Sequence, residues 1–243
     1  MIKRLMLFTI ALLSVLFVFT QGVTAESVKI ITFEYPPYIY GDGVGMLEKI
    51  FHRIALETRE PIEFQIYPRK RALMMFKSPI THTMFLGERE YFPRMASSLV
   101  FLKILDIKTV FVYMKDRFPK FGYHEFKDLQ GKRVGISLGS IYVPYFKAAG
   151  IIVDEAKLEN NLLKLKTGRI DFWHTVDFAA MTLIKKNDPD HEKKYAFLDD
   201  QIHTVELMAK KGSESERQLK TLAQGLEAII HNGSFNNIIN ELD

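Results

Sequence analysis

The chain has 243 residues, with 33 Lys and Arg against 29 Asp and Glu, a formal net charge of +4. So small an excess excludes a dedicated nucleic-acid binder, and the one basic cluster, Arg69-Lys70-Arg71, is too short to alter that. Apolar residues make up 47%, enough for an ordinary core, and the absence of cysteine excludes disulfides and thiol chemistry.

The N-terminus carries the clearest local signal. Met1-Ile-Lys-Arg4 is a short basic region, Leu5 to Phe19 is almost unbroken apolar sequence, and Val23-Thr24-Ala25 is small. That order describes a secretory signal peptide over residues 1–25, with a mature chain from Glu26. The apolar run is short for a permanent anchor, and no second stretch is long enough to span a bilayer. An exported chain without disulfides fits a bacterial periplasm. What remains after cleavage suffices for one large domain or two small ones.

Val28 to Phe33 reads as a first strand, stopped by the rigid turn Tyr35-Pro-Pro-Tyr38. The turn leaves Tyr35, Tyr38 and Tyr40 near the strand's carboxyl end, as core aromatics or as a ligand wall. Met46, Leu47, Ile50, Phe51, Ile54 and Ala55 recur at helical spacing. Ile62, Phe64 and Ile66 alternate as a second strand, and Pro68 opens a helix whose basic start reads as a solvated face.

The stretch Thr81–Arg94 begins as a buried strand, breaks at Gly87 and turns at Glu88-Arg89-Glu90. An arginine just past a strand end stands at the rim where open α/β sheets bind ligands, and its planar fork suits a carboxylate. Arg89 is therefore the candidate anion contact. The alternative is a surface arginine paired with Glu88 or Glu90.

Ser97 to Leu105 reads as a loop and a short strand, and Lys108 to Met114 as a strong strand. Lys115 to Lys127 changes composition and reads as a boundary. Lys132 to Ser137 is a new strand. Gly139-Ser140 turns into a helix that carries Tyr142, Val143 and Phe146, with Ser140 as N-cap. Ile151–Val153 is a strand, the helix through Leu162 and Leu165 stops at Gly168, and Arg169–His174 is a strand. A helix over Phe178–Lys185 and strands at Lys194–Leu198 and Val205–Lys210 follow. Ser213 with Glu216 caps a long last helix, and Gly233 separates a final short one. Alternating strands and helices predict an α/β fold with parallel sheets and helices on both faces. The seven histidines are scattered without metal-site spacing, so neither metal nor cofactor is expected.

Four stretches together resemble the type II periplasmic solute-binding proteins, specifically the amino-acid-binding family 3 of ABC importers. They are Tyr35-Pro-Pro-Tyr38, Gly87-Glu-Arg89-Glu, Asp128 to Ser140, and Leu165 to Asp171. The resemblance implies a two-lobed type II fold with a ligand cleft between the lobes. Lobe 1 is then discontinuous, residues 26–112 and 207–243, and lobe 2 is 113–206. It further implies that Arg89 holds a ligand carboxylate, that Tyr35 packs on the ligand, and that Gly139-Ser140 presents backbone donors.

The departures are specific. Met84 stands where the family often has a hydroxyl, with Thr81 and Thr83 nearby, and Ile141 replaces a threonine. Val176 falls where the family places its amino-group acid, leaving neighbouring Asp177 as that acid or as a helix cap. Met84, Ile141 and Trp173 make either an apolar pocket or plain core. The expected ligand set is Arg89, Tyr35, Tyr38, Thr83, Gly139, Ser140, Trp173 and Asp177. The expected function is periplasmic capture of a small carboxylate, an amino acid or related organic acid, by a monomer that docks on an inner-membrane ABC permease. The alternatives are a ligand-sensing receptor, or a dehydratase of a cyclic carboxylate using Glu34, His82, His174 or Asp177 as acid or base.

Overall fold

The computed structural model describes residues 27–79 and 83–241. The signal-peptide expectation, Thr81 and His82 lie outside these residues. Eight strands form one sheet in the order β2-β1-β3-β8-β4-β7-β5-β6. In the first half, β1 (Val28–Thr32) pairs in parallel with β2 (Ile62–Ile66) and β3 (Met84–Gly87). In the second, β5 (Arg133–Ser137) pairs in parallel with β6 (Ile152–Ala156) and β7 (Phe172–Val176). Between the halves run β4 (Leu99–Met114) and β8 (Tyr195–Lys210), antiparallel to each other along nearly their whole length.

These two 16-residue strands replace the shorter ones expected from sequence. Neither contains Gly or Pro, so nothing stops the ladder. The stretches left out of those shorter strands, around Asp106 on β4 and from Asp199 on β8, are where the strands pass between halves. The register there shifts twice, between Lys103 and Leu105 and between Lys108 and Val110. Each shift adds local bend and twist to a strand pair.

Helices cover both faces of each half. Ile50, Phe51 and Ile54 of α1 (Met46–Thr58) are buried with Leu219, Leu222 and Leu226 of α7 (Glu214–His231), each large side chain contributing about 1.5–3 kcal/mol. The opposite face packs Ile31, Phe33 and Phe85 against Phe76 of α2 (Arg69–Lys77) and Phe92. The second half builds one layer around Trp173, Val110 and Val112 with α4 (Leu158–Lys166) and α5 (Asp177–Asn187). Its other layer joins Phe111, Phe172 and Ile136 to Phe146 of α3 (Val143–Ala148). Two short helices, α6 (His191–Lys194) and α8 (Ser234–Asn240), complete the fold.

The Ser213 cap forms, its hydroxyl accepting from Glu216 N at 3.3 Å. A device not read from sequence fixes the loop after Tyr38. The buried Glu48 carboxylate accepts from the backbone N–H groups of Tyr40, Gly41, Gly43 and Gly45 at 2.9–3.3 Å. Gly45 must be glycine there, because a Cβ would lie 2.4 Å from the Tyr38 carbonyl oxygen.

Candidate functional site: a cleft between the halves

The strand ends of both halves converge on a cavity of about 60 Å³, room for roughly four to six waters. Ile107 and Thr109 of β4 and Val205 of β8 line its middle. The first half supplies Thr32, Phe33, Tyr35 and Tyr38 from the end of β1 and its turn, Arg69 from the start of α2, and Glu88 and Tyr91 from beyond β3. The second half supplies Ser137 at the end of β5, Ser140, Ile141 and Tyr142 after it, and His174, Thr175 and Val176 at the end of β7. A wider pocket of about 560 Å³ adjoins and shares Phe33, Tyr35, Arg69 and Ser137, so Arg69 stands at the junction of the two.

Arg69 is half-buried, with its guanidinium carbon 4.5 Å from the centre of the Phe33 ring and 6.0 Å from those of Tyr35 and Tyr91. A cation held over aromatic faces keeps its donors for a ligand. Among the described residues it makes no salt bridge. Helical side chains lean toward the N-terminus, so the first residue of α2 projects beyond the helix end into the cleft.

Glu88 is the cavity's carboxylate, with its side chain 17% exposed. Burial pushes its pKa up to about 7; neighbouring Glu90 adds to the rise and Arg69 opposes it. Glu88 Oε2 lies 3.5 Å from His203 Nδ1. The other ring nitrogen of His203 is hydrogen-bonded to the Tyr142 hydroxyl and lies 3.5 Å from Thr109 Oγ1. Burial holds the His203 pKa below its usual value. Desolvation thus favours the neutral forms of both Glu88 and His203. The chain Glu88–His203–Tyr142 runs from the first half, through β8, to the second.

A second polar set lies beside it. His174 Nε2 is 3.0 Å from Asp200 Oδ2, and both side chains are 3% exposed. Asp200 also accepts from the Tyr123 hydroxyl at 2.7 Å and from the Thr109 hydroxyl at 3.2 Å. Burial raises the phenol pKa values of Tyr35, Tyr38, Tyr91 and Tyr142, so these rings present hydroxyl groups rather than phenolates. Among the described residues no cluster of His, Asp and Glu could hold a metal.

Of the residues singled out from sequence, Tyr35, Tyr38 and Ser140 line the cavity. Tyr35 and Tyr38 stack at 5.8 Å, and Tyr35 reaches Thr175 and Val176 of the opposite half. Gly139 adopts φ +72° and donates its N–H to Glu155 at 3.0 Å, next to the lining rather than in it. The helix expected at Ser140 begins only at Val143, and the Ser140 hydroxyl accepts from Tyr142 N within the preceding turn.

Arg89 is placed elsewhere. Its Nε donates to Glu206 Oε2 at 2.7 Å, its Nη2 bonds Glu206 Oε1, and its guanidinium lies 4.4 Å from the Phe101 ring centre. Glu88 is extended, so consecutive side chains diverge: Glu88 faces the cavity and Arg89 faces β8. The same alternation on β7 buries Trp173 in the core and turns His174 to the cavity. Thr83, at the opposite end of β3, is buried away from the lining. Asp177 opens α5, accepts from Phe178 N at 2.6 Å and sits 3.7 Å from Lys108 Nζ, outside the cavity. Sequence reasoning missed Arg69, Glu88, Tyr142 and His203. Arg69 had a usable signal, since it too follows a strand end.

No family model matches the chain, and no curated protein matches it. Solved structures do. The ligand-binding core of GluR0 from Nostoc punctiforme, in complex with L-glutamate, superposes with TM-score 0.71 at 16% identity, over 88% of this chain and 98% of that one. The substrate-binding protein of an amino acid ABC transporter gives 0.66 at 16%, over 89% and 98%. A histidine kinase sensor domain with similarity to periplasmic binding proteins gives 0.70 at 17%, over 90% and 96%. At such identities the likeness is one of architecture: the chain has the two-lobed α/β fold of the type II periplasmic binding proteins, with its cavity in the cleft between the lobes.

Proposed function

We propose that the protein is an exported binding protein that closes its lobes over a small carboxylate, an amino acid or related organic acid. The closed form is then presented to a membrane partner, the permease of an ABC importer. The observation that carries this reading is Arg69, a guanidinium without a salt bridge among the described residues, held over aromatic rings where the cavity between the halves meets a wider pocket. A carboxylate entering there gains bidentate, charge-assisted hydrogen bonds in a desolvated site. Tyr35, Tyr38, Ser140 and Tyr142 supply walls and hydroxyls from both lobes, so a bound ligand favours closure over opening.

Thermal unfolding in the presence of small carboxylates tests the reading. One ligand raises Tm, with about 2.7 kcal/mol gained at a hundred times its Kd. Arg69→Met keeps an unbranched aliphatic side chain but removes the guanidinium that lies over Phe33, and loses the shift. A full shift in that variant refutes the assignment. Import and sensing use the same clamp; stimulation of a reconstituted permease's ATP hydrolysis by the liganded protein distinguishes import.

A further inference from the structure

We infer that the cleft admits a negatively charged ligand together with one proton from solvent, taken up by Glu88. The inference rests on the carboxylate-binding reading above and adds what governs its affinity. Arg69 and Glu88 line the same small cavity, so a ligand carboxylate that meets Arg69 from within that cavity sits near a second carboxylate. Like charges sharing a desolvated site cannot both remain ionised cheaply, and the group already closest to neutral takes the proton.

The groups that face Glu88 leave it that role. Among the described residues Arg69 is the only lysine or arginine lining the cavity, and the ligand engages it. His203, at 3.5 Å, is biased by burial toward its neutral form and is already bonded to Tyr142 through its other nitrogen. Glu90 on the same turn adds negative potential, and the phenols of Tyr35, Tyr91 and Tyr142 stay protonated. Asp200 and His174 also act on His203 and are paired with each other at 3.0 Å. With Glu88 half-titrated at about pH 7 in the empty cleft, ligand binding raises its pKa and draws a proton in. The sign follows: the bound state holds more protons, so affinity rises as pH falls.

Isothermal calorimetry on the mature protein with acetate, lactate and benzoate, from pH 6 to pH 8, tests this. The expected result is an affinity about tenfold weaker at pH 8 than at pH 6, approaching the limit of tenfold per pH unit for one linked proton. Paired buffers of different ionisation enthalpy should show nearly one proton taken up at pH 8 and almost none at pH 6. Glu88→Gln flattens the profile, and His203→Asn leaves it sloping. A flat wild-type profile, affinity that rises with pH, or a slope that survives in Glu88→Gln but vanishes in His203→Asn overturns the inference while leaving carboxylate binding intact. No binding by any of the three acids, together with no rise in Tm from any amino acid in the thermal test above, overturns the functional reading and this inference with it.

Discussion

Truncating Arg89 separates a structural arginine from a ligand-binding one. Glu206 is 2% exposed and receives both hydrogen bonds of the Arg89 fork, whereas the Arg89 side chain is 52% exposed. Removing one partner of a fully buried ion pair costs about 3–5 kcal/mol, because the remaining charge is left in low dielectric. Half of this arginine already stands in water, and its loss opens a path for water to Glu206. The expected cost of Arg89→Ala is therefore about 1–3 kcal/mol. For a domain of this size that lowers Tm by roughly 3–10 °C without ligand. Adding Glu206→Gln should recover part of the loss, since an amide is easier to leave unpaired than a carboxylate. The ligand-induced rise in Tm should persist in Arg89→Ala and disappear in Arg69→Met. An Arg89→Ala protein of unchanged Tm that has lost its ligand response would reverse the roles given to the two arginines.

Two further substitutions bear on the ligand-free protein. The folded-state pKa of Glu88, raised from 4.5 to about 7, means that the folded chain binds the extra proton between those values. Wild-type stability should therefore fall as pH rises through that window, and Glu88→Gln should escape the fall. Urea unfolding at pH 4.5 and pH 8 should show the variant gaining up to about 3 kcal/mol on wild type; parallel pH curves would contradict the burial of this carboxylate. At Gly225 on α7, an added Cβ would lie 2.5 Å from Thr58 Cγ2 and 3.0 Å from Ile54 Cγ2 on α1. Overpacking costs about 1–3 kcal/mol against a helix-propensity gain of about 1 kcal/mol, so Gly225→Ala should lose about 1 kcal/mol. Thr58→Ser should restore most of it, and a more stable Gly225→Ala would show that the helices can part.

The α/β class and the capped final helix were legible because each rests on local pattern: alternation in Ile62, Phe64 and Ile66, helical spacing from Met46 to Ile54, and the hydroxyl of Ser213 ahead of Glu216. The walls of the site were legible in part, since Tyr35-Pro-Pro-Tyr38 ends a strand and strand ends meet at the cleft. Which of two adjacent side chains faces the cleft was not. Glu88 and Arg89, and likewise Trp173 and His174, differ only in parity, and parity is fixed by a register that sequence periodicity does not reveal across a strand–turn junction. In both pairs the chemically prominent residue, Arg89 or Trp173, took the inward role in the sequence reading. The structure gives that role to its neighbour, Glu88 or His174.

The long strands β4 and β8 were hidden for a related reason, and they matter most for how the site works. The sequence reading ended one strand at Leu105, began the next at Lys108 and stopped another before Asp199, yet backbone pairing continues past these polar positions because a ladder needs only N–H and C=O groups. Lys103, Asp106 and Asp199 are exposed and Lys108 half-buried, where the strands leave one lobe's core before entering the next. Both register shifts fall on this stretch, beside Thr109 and His203, which contact the cavity's polar groups. Thr109 hydrogen-bonds Asp200, and His203 bonds Tyr142 and approaches Glu88. Any opening of the lobes that bends the paired strands at these shifts must therefore change the geometry of Glu88–His203–Tyr142. The residues that surround Glu88 are thus the same ones that join the two lobes across the paired strands.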